Sequence, residues 1–317
     1  INMLRKFSTS KVLVTGGAGQ VGVLFIPKLQ KIYGVENVLV TDLKDSLPNL
    51  KTVNYEQCDA TDEKKMTEIC SKFKPNVIYH LASMLSAPSE MNPQLALKVN
   101  IGSLHNMLER ARELQAQIFS ASTIAAFGEG AAKIAGDNEP MNPATIYGIT
   151  KVHMELLGKY YHKRWGIDFR CVRIPIVTSD IAAGGGAASF TVDMIHDLIQ
   201  KKKAVIPISP ENRFPLIYLP DLLDSILQLM QTDNQKLTRR VYTMASIGVS
   251  AEEYVNEVKK YLSGDIEFKP DFRDDVVKTW PEGTDSRNAE RDWGHKLNYD
   301  LPKTVKDIID RITKSSH

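Results

Sequence analysis

Residues 15–22 read Thr15-Gly16-Gly17-Ala18-Gly19-Gln20-Val21-Gly22, and how this octapeptide is read decides the fold. Ahead of it, Lys11–Thr15 is a short β-branched apolar run. Behind it, Val21–Ile32 carries apolar residues at helical spacing. A strand, a glycine-rich turn and a helix in immediate succession open a parallel sheet. Gly16 permits the tight turn, Gly19 lets the backbone approach a pyrophosphate, and Gly22 allows close packing of helix on strand. The helix N-terminus then offers amide N–H groups and a positive dipole end to the anion. The glycine spacing alone is a weak signal; its position between strand and helix gives it weight.

Outward from the turn the same alternation continues. Asn37–Thr41, Asn76–Leu81 and Gln117–Ala121 read as strands, separated by amphipathic helical stretches at Asp62–Phe73, Pro93–Leu114 and Thr145–Trp165. Phe169–Ile174 reads as one more strand. Continuous apolar strands alternating with such helices predict an α/β fold, a doubly wound parallel sheet covered on both faces. After residue 175 the pattern loosens. Gly184–Gly186 and Pro207, Pro210, Pro215 and Pro220 interrupt shorter elements, with helices expected near Phe190–Lys201, Asp221–Gln231, Ala251–Leu262 and Thr304–Ile312. Residues 11–175 are read as the nucleotide-binding domain and 176–317 as a smaller mixed α/β substrate lobe, packed intimately enough for the chain to cross between them.

At 317 residues the chain is about twice the usual domain size. Its 40 Lys and Arg nearly balance 38 Asp and Glu, which gives no reason to expect nucleic acid or an anionic membrane as partner. Cys58, Cys70 and Cys171 are widely spaced, against both a disulfide framework and a structural zinc site. The histidines are scattered, so no metal is expected. No apolar run approaches the length of a transmembrane helix. Residues 1–10 are read as a targeting remnant. Arg5 and Lys6 with Ser8, Thr9 and Ser10, and no acid before Glu36, suit a short mitochondrial presequence and a matrix location. A frayed basic start to a cytoplasmic protein is the alternative.

Asp42 ends the second strand 20 residues after Gly22, where a carboxylate binds both ribose hydroxyls and repels a 2′-phosphate, so NAD is expected over NADP. Asp59, after the third strand, reads either as an adenine-side contact or as a cap of the next helix. Tyr147 and Lys151 stand at i and i+4 on one helical face. An ammonium beside a phenol favours the phenolate, which predicts a lowered pKa and a base usable near neutral pH. Tyr299 and Lys303 match the same spacing, but with Pro302 between them they read as incidental. Ser122 and Thr123 reach the carboxyl end of the sheet, where ligands bind in such folds.

With His80-Leu-Ala-Ser83, Asn100, Ser122-Thr123, Phe127-Gly128 and Tyr147 to Lys151 added to the glycine turn and Asp42, the chain resembles the extended short-chain dehydrogenase/reductase family. Leu81–Ala87, Arg173-Ile-Pro175, Tyr218-Leu-Pro-Asp221 and the run from Pro270 through Thr279-Trp-Pro281 to Tyr299-Asp-Leu301 narrow the likeness to its L-threonine 3-dehydrogenases. The resemblance implies that Thr123 positions the substrate hydroxyl, with Ser122 as the near alternative, that Tyr147 abstracts the proton, and that Lys151 stabilises the phenolate and contacts the ribose. On the cofactor side it implies Gly16, Gly19, Gln20, Val21, Gly22, Asp42, Leu43, Asp59, Ala60, Leu81, Ala82, Asn100 and Ile176. On the substrate side it implies Ser83, Ser86, Gly186, Ser189 and Trp280 beside Thr123 and Tyr147. His80 reads as a buried, satisfied histidine. Two departures stand out: Ile176 replaces the family's usual glycine, and Ala187 replaces a hydroxyl residue.

The implied reaction is NAD-dependent oxidation of the C3 hydroxyl of L-threonine to 2-amino-3-oxobutanoate. The rival readings are a nucleotide-sugar epimerase or dehydratase of the same fold and a non-catalytic NAD-binding sensor. Family resemblance also implies a homodimer formed through a four-helix bundle from Pro93–Leu114 and Thr145–Trp165.

Overall fold

Four consecutive buried residues, Val12–Thr15, form strand β1 at the centre of the main sheet. The computed structural model describes residues 10–47, 52–181 and 189–315. β2 (Val38–Asp42) and β3 (Asn54–Gln57) lie on one side of β1; β4 (Val77–His80), β5 (Gln117–Thr123), β7 (Phe169–Ile174) and β11 (Val241–Thr243) lie on the other. Every neighbouring pair runs parallel. The order β3-β2-β1-β4-β5-β7-β11 reverses direction between β1 and β4, and the switch opens a crevice at the carboxyl ends of those two strands.

The helices covering this sheet are α1 (Gln20–Tyr33), α2 (Glu63–Phe73), α3 (Ser86–Met91), α4 (Pro93–Ala96), α5 (Ser103–Leu114) and α6 (Ile146–Trp165). Asp62 caps α2 by accepting from the Lys65 amide at 2.9 Å, and Thr145 caps α6 by accepting from Gly148 at 3.1 Å. Gly166, at φ 72°, ends α6 in the left-handed conformation. The expected single helix Pro93–Leu114 is interrupted: Leu97–Gly102 is a π-helical segment between α4 and α5. Apolar spacing cannot register such a bulge, because the wider turn shifts the face without changing residue types.

The second half is shared between two packing units. A three-stranded sheet of β12 (Ile247–Ser250), β10 (Arg213–Tyr218) and β8 (Ile176–Thr178) is joined by two parallel pairs, β13 (Asp265–Phe268) with β9 (Lys203–Ile206), and β14 (Gly283–Thr284) with β6 (Ile134–Ala135). With α7 (Phe190–Lys201), α9 (Ala251–Lys259), α10 (Phe272–Lys278) and α12 (Leu301–Ser315) these strands enclose a second core around Phe190, Phe214, Tyr218 and Tyr254. α8 (Leu219–Gln231) and α11 (Arg287–Trp293) instead pack their apolar faces into the core of the large sheet. β11 extends that sheet by pairing Val241–Thr243 with Cys171–Arg173. The chain therefore crosses back over the large sheet after residue 218.

Candidate active site

The glycine turn sits at the crevice between β1 and β4. Gly16 has φ 72°, and a Cβ built there would lie 2.5 Å from the Ala82 amide nitrogen, so the turn and the Leu81-Ala82 segment meet backbone to backbone. A Cβ on Gly22 would lie 2.5 Å from the Gly17 carbonyl oxygen. At Gly19 it would meet only the Gly16 carbonyl, at 3.4 Å, leaving that side of the turn open to a ligand. No side chain caps α1 and its first turn holds no acid. The Asp42 carboxylate accepts from Ala18 N at 2.9 Å and Lys44 N at 3.2 Å, which aims it at the turn. An uncapped helix end with a fixed carboxylate 20 residues on fits a dinucleotide whose pyrophosphate meets the amides and whose ribose meets Asp42.

Gln20 does more than begin the helix. Its amide donates to Ser179 Oγ and to the Ile181 carbonyl, both at 2.9 Å, tying the turn to the chain beyond β8. Val21 lines the cleft described next, while Leu43 is exposed with its carbonyl accepting from Gln57. Asp59 makes a local turn, accepting from Thr61 N at 2.8 Å, and Asp62 takes the capping role. The capping reading of Asp59 is thus corrected: Asp59 lies a turn before the helix, and Asp62, immediately ahead of Glu63, reaches the Lys65 amide. Ala60 is buried, its carbonyl accepting from Asn106 at 3.0 Å.

A cleft of about 250 Å³ runs from Gln20 and Val21 past the ends of β4, β5 and β7 to the small lobe. Ser83, Ser86, Thr123, Tyr147, Lys151, Ile176, Ser189 and Trp280 all line it, residues spread over nearly 200 positions of sequence. Trp280 combines two roles: it lines the cleft and packs against the small-lobe core. Leu85, within the Leu81–Ala87 stretch, also lines it, as do Leu222 and Ile226, which no motif marks. Gly186 and Ala187 lie outside the described residues, as do residues 1–9. Tyr299 stacks edge-on to Tyr218 at 4.9 Å in the small lobe, away from the cleft. Among the described residues, no three His, Cys, Asp or Glu side chains are grouped to hold a metal ion.

The two adjacent hydroxyls differ sharply. Ser122 is buried and donates to Glu155 Oε1 at 2.6 Å. The Thr123 hydroxyl bonds Tyr147 and accepts from Ala125 N at 3.2 Å. Lys151 Nζ donates to the Ala121 carbonyl at 2.9 Å and stands 5.4 Å from the Tyr147 ring centre. The expected lowering of the phenol is not found. Burial pushes Tyr147 up to about 12 against the opposing hydrogen bond from Thr123, and burial pulls Lys151 down to about 8. Desolvation is the dominant influence on both groups.

His80 is buried between Thr15 Oγ1 at 2.8 Å and Ser103 Oγ at 3.2 Å, and burial lowers it to about 3, so it stays neutral. Asn100, carried by the π-helical segment, accepts from Met84 N at 2.7 Å and donates to Thr150 Oγ1 at 3.1 Å. It does not line the main cleft but joins the loop after β4 to the helix bearing Tyr147 and Lys151. A small cavity of about 20 Å³ lies behind Lys151, bounded by His80, Asn100, Ser120 and Thr150.

Known proteins resemble this chain along nearly its whole length. A mitochondrial L-threonine 3-dehydrogenase of Bos taurus is 34% identical over 304 residues, covering 94% of this chain and 82% of that protein. An uncharacterized epimerase/dehydratase of Staphylococcus epidermidis is 34% identical over 317 residues, covering 96% and 98%. The crystal structure of L-threonine dehydrogenase from Phytophthora infestans superposes with a TM-score of 0.93 at 34% identity, covering 96% of this chain and 100% of that one. Residues 12–245 match one family over all seven strands of the main sheet, from the glycine turn through β11. The chain belongs to the NAD dependent epimerase/dehydratase family.

Proposed function

We propose that the chain oxidises the C3 hydroxyl of L-threonine to 2-amino-3-oxobutanoate, with NAD as oxidant. The observation that carries this reading is the content of the cleft: Thr123, Tyr147 and Lys151 face Ser83, Ser86, Ser189 and Trp280, and Lys151 is the only charged side chain among the described lining residues. A diphosphate-linked sugar calls for arginine or lysine partners. A small zwitterion needs few, and this cleft offers hydroxyls and an indole N–H. A non-catalytic sensor gives no account of a lysine buried beside a half-buried phenol, an arrangement costly to maintain.

NAD, when bound, would be held by the glycine turn and Asp42 and would supply the hydride acceptor for the oxidation at C3. Thr123 orients the substrate hydroxyl toward Tyr147, and the Tyr147 oxygen takes its proton. Lys151, held by the Ala121 carbonyl, keeps two further N–H donors for the phenolate side and the ribose. The products are the 3-oxo acid, NADH and one proton. The test is NADH formation with L-threonine and NAD, beside a Tyr147→Phe control and a UDP-sugar assay. Turnover that requires threonine and disappears in the control supports the proposal; UDP-sugar conversion without threonine oxidation refutes it.

Two copies are proposed to pair through α6. Ile149, Leu156 and Tyr160 are exposed along it, with Met91 and Leu95 exposed beside it on α3 and α4. The matrix location rests on the basic N-terminal stretch, and no described helix is long and apolar enough to cross a membrane.

A further inference from the structure

Glu155 is fully buried and touches neither substrate cleft nor solvent. It follows Lys151 by four residues and Tyr147 by eight, on the same side of α6. Its Oε1 accepts from Ser122 Oγ at 2.6 Å and Arg173 Nε at 2.9 Å, and its Oε2 accepts from Arg173 at 2.8 Å. Arg173, also buried, lies beside Ser122 in the β5–β7 register and donates onward to the Asp137 carbonyl at 3.0 Å. The Asp137 carboxylate in turn accepts from Thr243 N and Asn288, and pairs with Arg239. A buried ion pair is weak evidence of stabilisation, since apolar packing of the same volume does as well or better. This one joins three elements that must stay in register: the strand delivering Thr123, the helix delivering Tyr147 and Lys151, and the turn that follows β6.

We propose that Glu155 is a positioning residue, which through Ser122 and Arg173 fixes Thr123 against Tyr147 and Lys151 and locks both to the Gly136–Asp137 turn. The inference rests on the threonine-oxidising reading for its kinetic readout but not for its structural one. Removing one partner strands a buried charge and risks unfolding, so the decisive variant is the paired Glu155→Met/Arg173→Met, with Ser122→Ala, which keeps the ion pair, as the milder probe.

In the full-length chain the paired variant is expected to melt cooperatively and retain NADH binding. Its kcat is expected to fall about 10- to 100-fold with less change in KM, the loss that misplacement by about 1 Å produces. Its pH profile moves with it. Without any substrate, amide exchange is expected to rise at residues 121–123 and 146–151 while other elements keep wild-type protection. Ser122→Ala shows the same local pattern to a smaller degree. A folded paired variant with wild-type kcat, pH profile and local exchange overturns the proposal, as does exchange that rises uniformly across the chain. If wild-type protein leaves L-threonine untouched, the substrate reading fails and the exchange comparison alone decides the clamp.

Discussion

Lys151 is buried and Tyr147 half-buried, and desolvation favours the uncharged form of each: the phenol keeps its proton and the ammonium tends to lose its own. The phenol near 12 must deprotonate to accept the substrate proton, so threonine oxidation is expected to accelerate as pH rises above neutral. It should level off or fall once Lys151, near 8, loses its charge. A pH–rate profile from pH 6 to 10 checks this, and a profile falling from neutrality upward contradicts it. Tyr147→Phe should lower kcat/KM by about 10²–10⁴ while leaving NADH affinity intact, measured by fluorescence titration. The pair Tyr147 and Lys151 was legible in the sequence from local spacing, whereas Thr123 was singled out over Ser122 only by the family resemblance. The protonation of the pair was not legible, because desolvation comes from chain segments distant in sequence.

The element that sets the site is α6, and its contacts invert a common expectation. Glycine inside a helix usually costs about 1 kcal/mol relative to alanine. At Gly158, however, a Cβ would stand 2.2 Å from the ring of Phe169, which is fully buried in β7. Gly158→Ala is therefore expected to destabilise by about 1–3 kcal/mol, the usual effect of overpacking. At Gly102, in the π-helical segment, an added methyl would have nothing within 4 Å, so Gly102→Ala should be neutral to stabilising by up to about 1 kcal/mol. Urea denaturation of the two variants tests both signs. The helical stretches expected at Asp62–Phe73 and Thr145–Trp165 followed from periodicity, and each begins on the residue that caps the observed helix. The interruption at Leu97–Gly102 did not follow from it, since it is held by Asn100 bonding Met84 and Thr150 from other elements.

Across the whole molecule, two buried histidines contribute to acid sensitivity alongside paired carboxylates such as Asp274 and Asp292. Burial lowers His80 to about 3 and His295 to about 4, both below the ordinary value of 6.5. Between those values the unfolded chain binds more protons than the folded one, so stability is full above 6.5 and is lost as pH falls toward 3. Urea midpoints at pH 7, 5.5 and 4.5 should drop steadily. His80→Asn should flatten that slope even though its stability at pH 7 is lower. A flat wild-type profile contradicts this account. If two copies meet through α6, light scattering should give twice the chain mass, and Leu156→Glu with Tyr160→Glu should give a single copy. A wild type that scatters as one chain refutes the pairing.

The amino-acid sequence by itself determined the parallel sheet, the glycine turn with Asp42, and the candidate pair Tyr147 and Lys151, because each is written in spacing over one or two adjacent elements. Only the tertiary structure decided that Ser122 turns to Glu155 while Thr123 meets Tyr147, that Leu222 and Ile226 wall the cleft, and that the second half returns β11 to the main sheet. Those outcomes depend on which apolar faces bury against each other across more than a hundred residues, and on the water excluded when they do. Local periodicity carries no record of either.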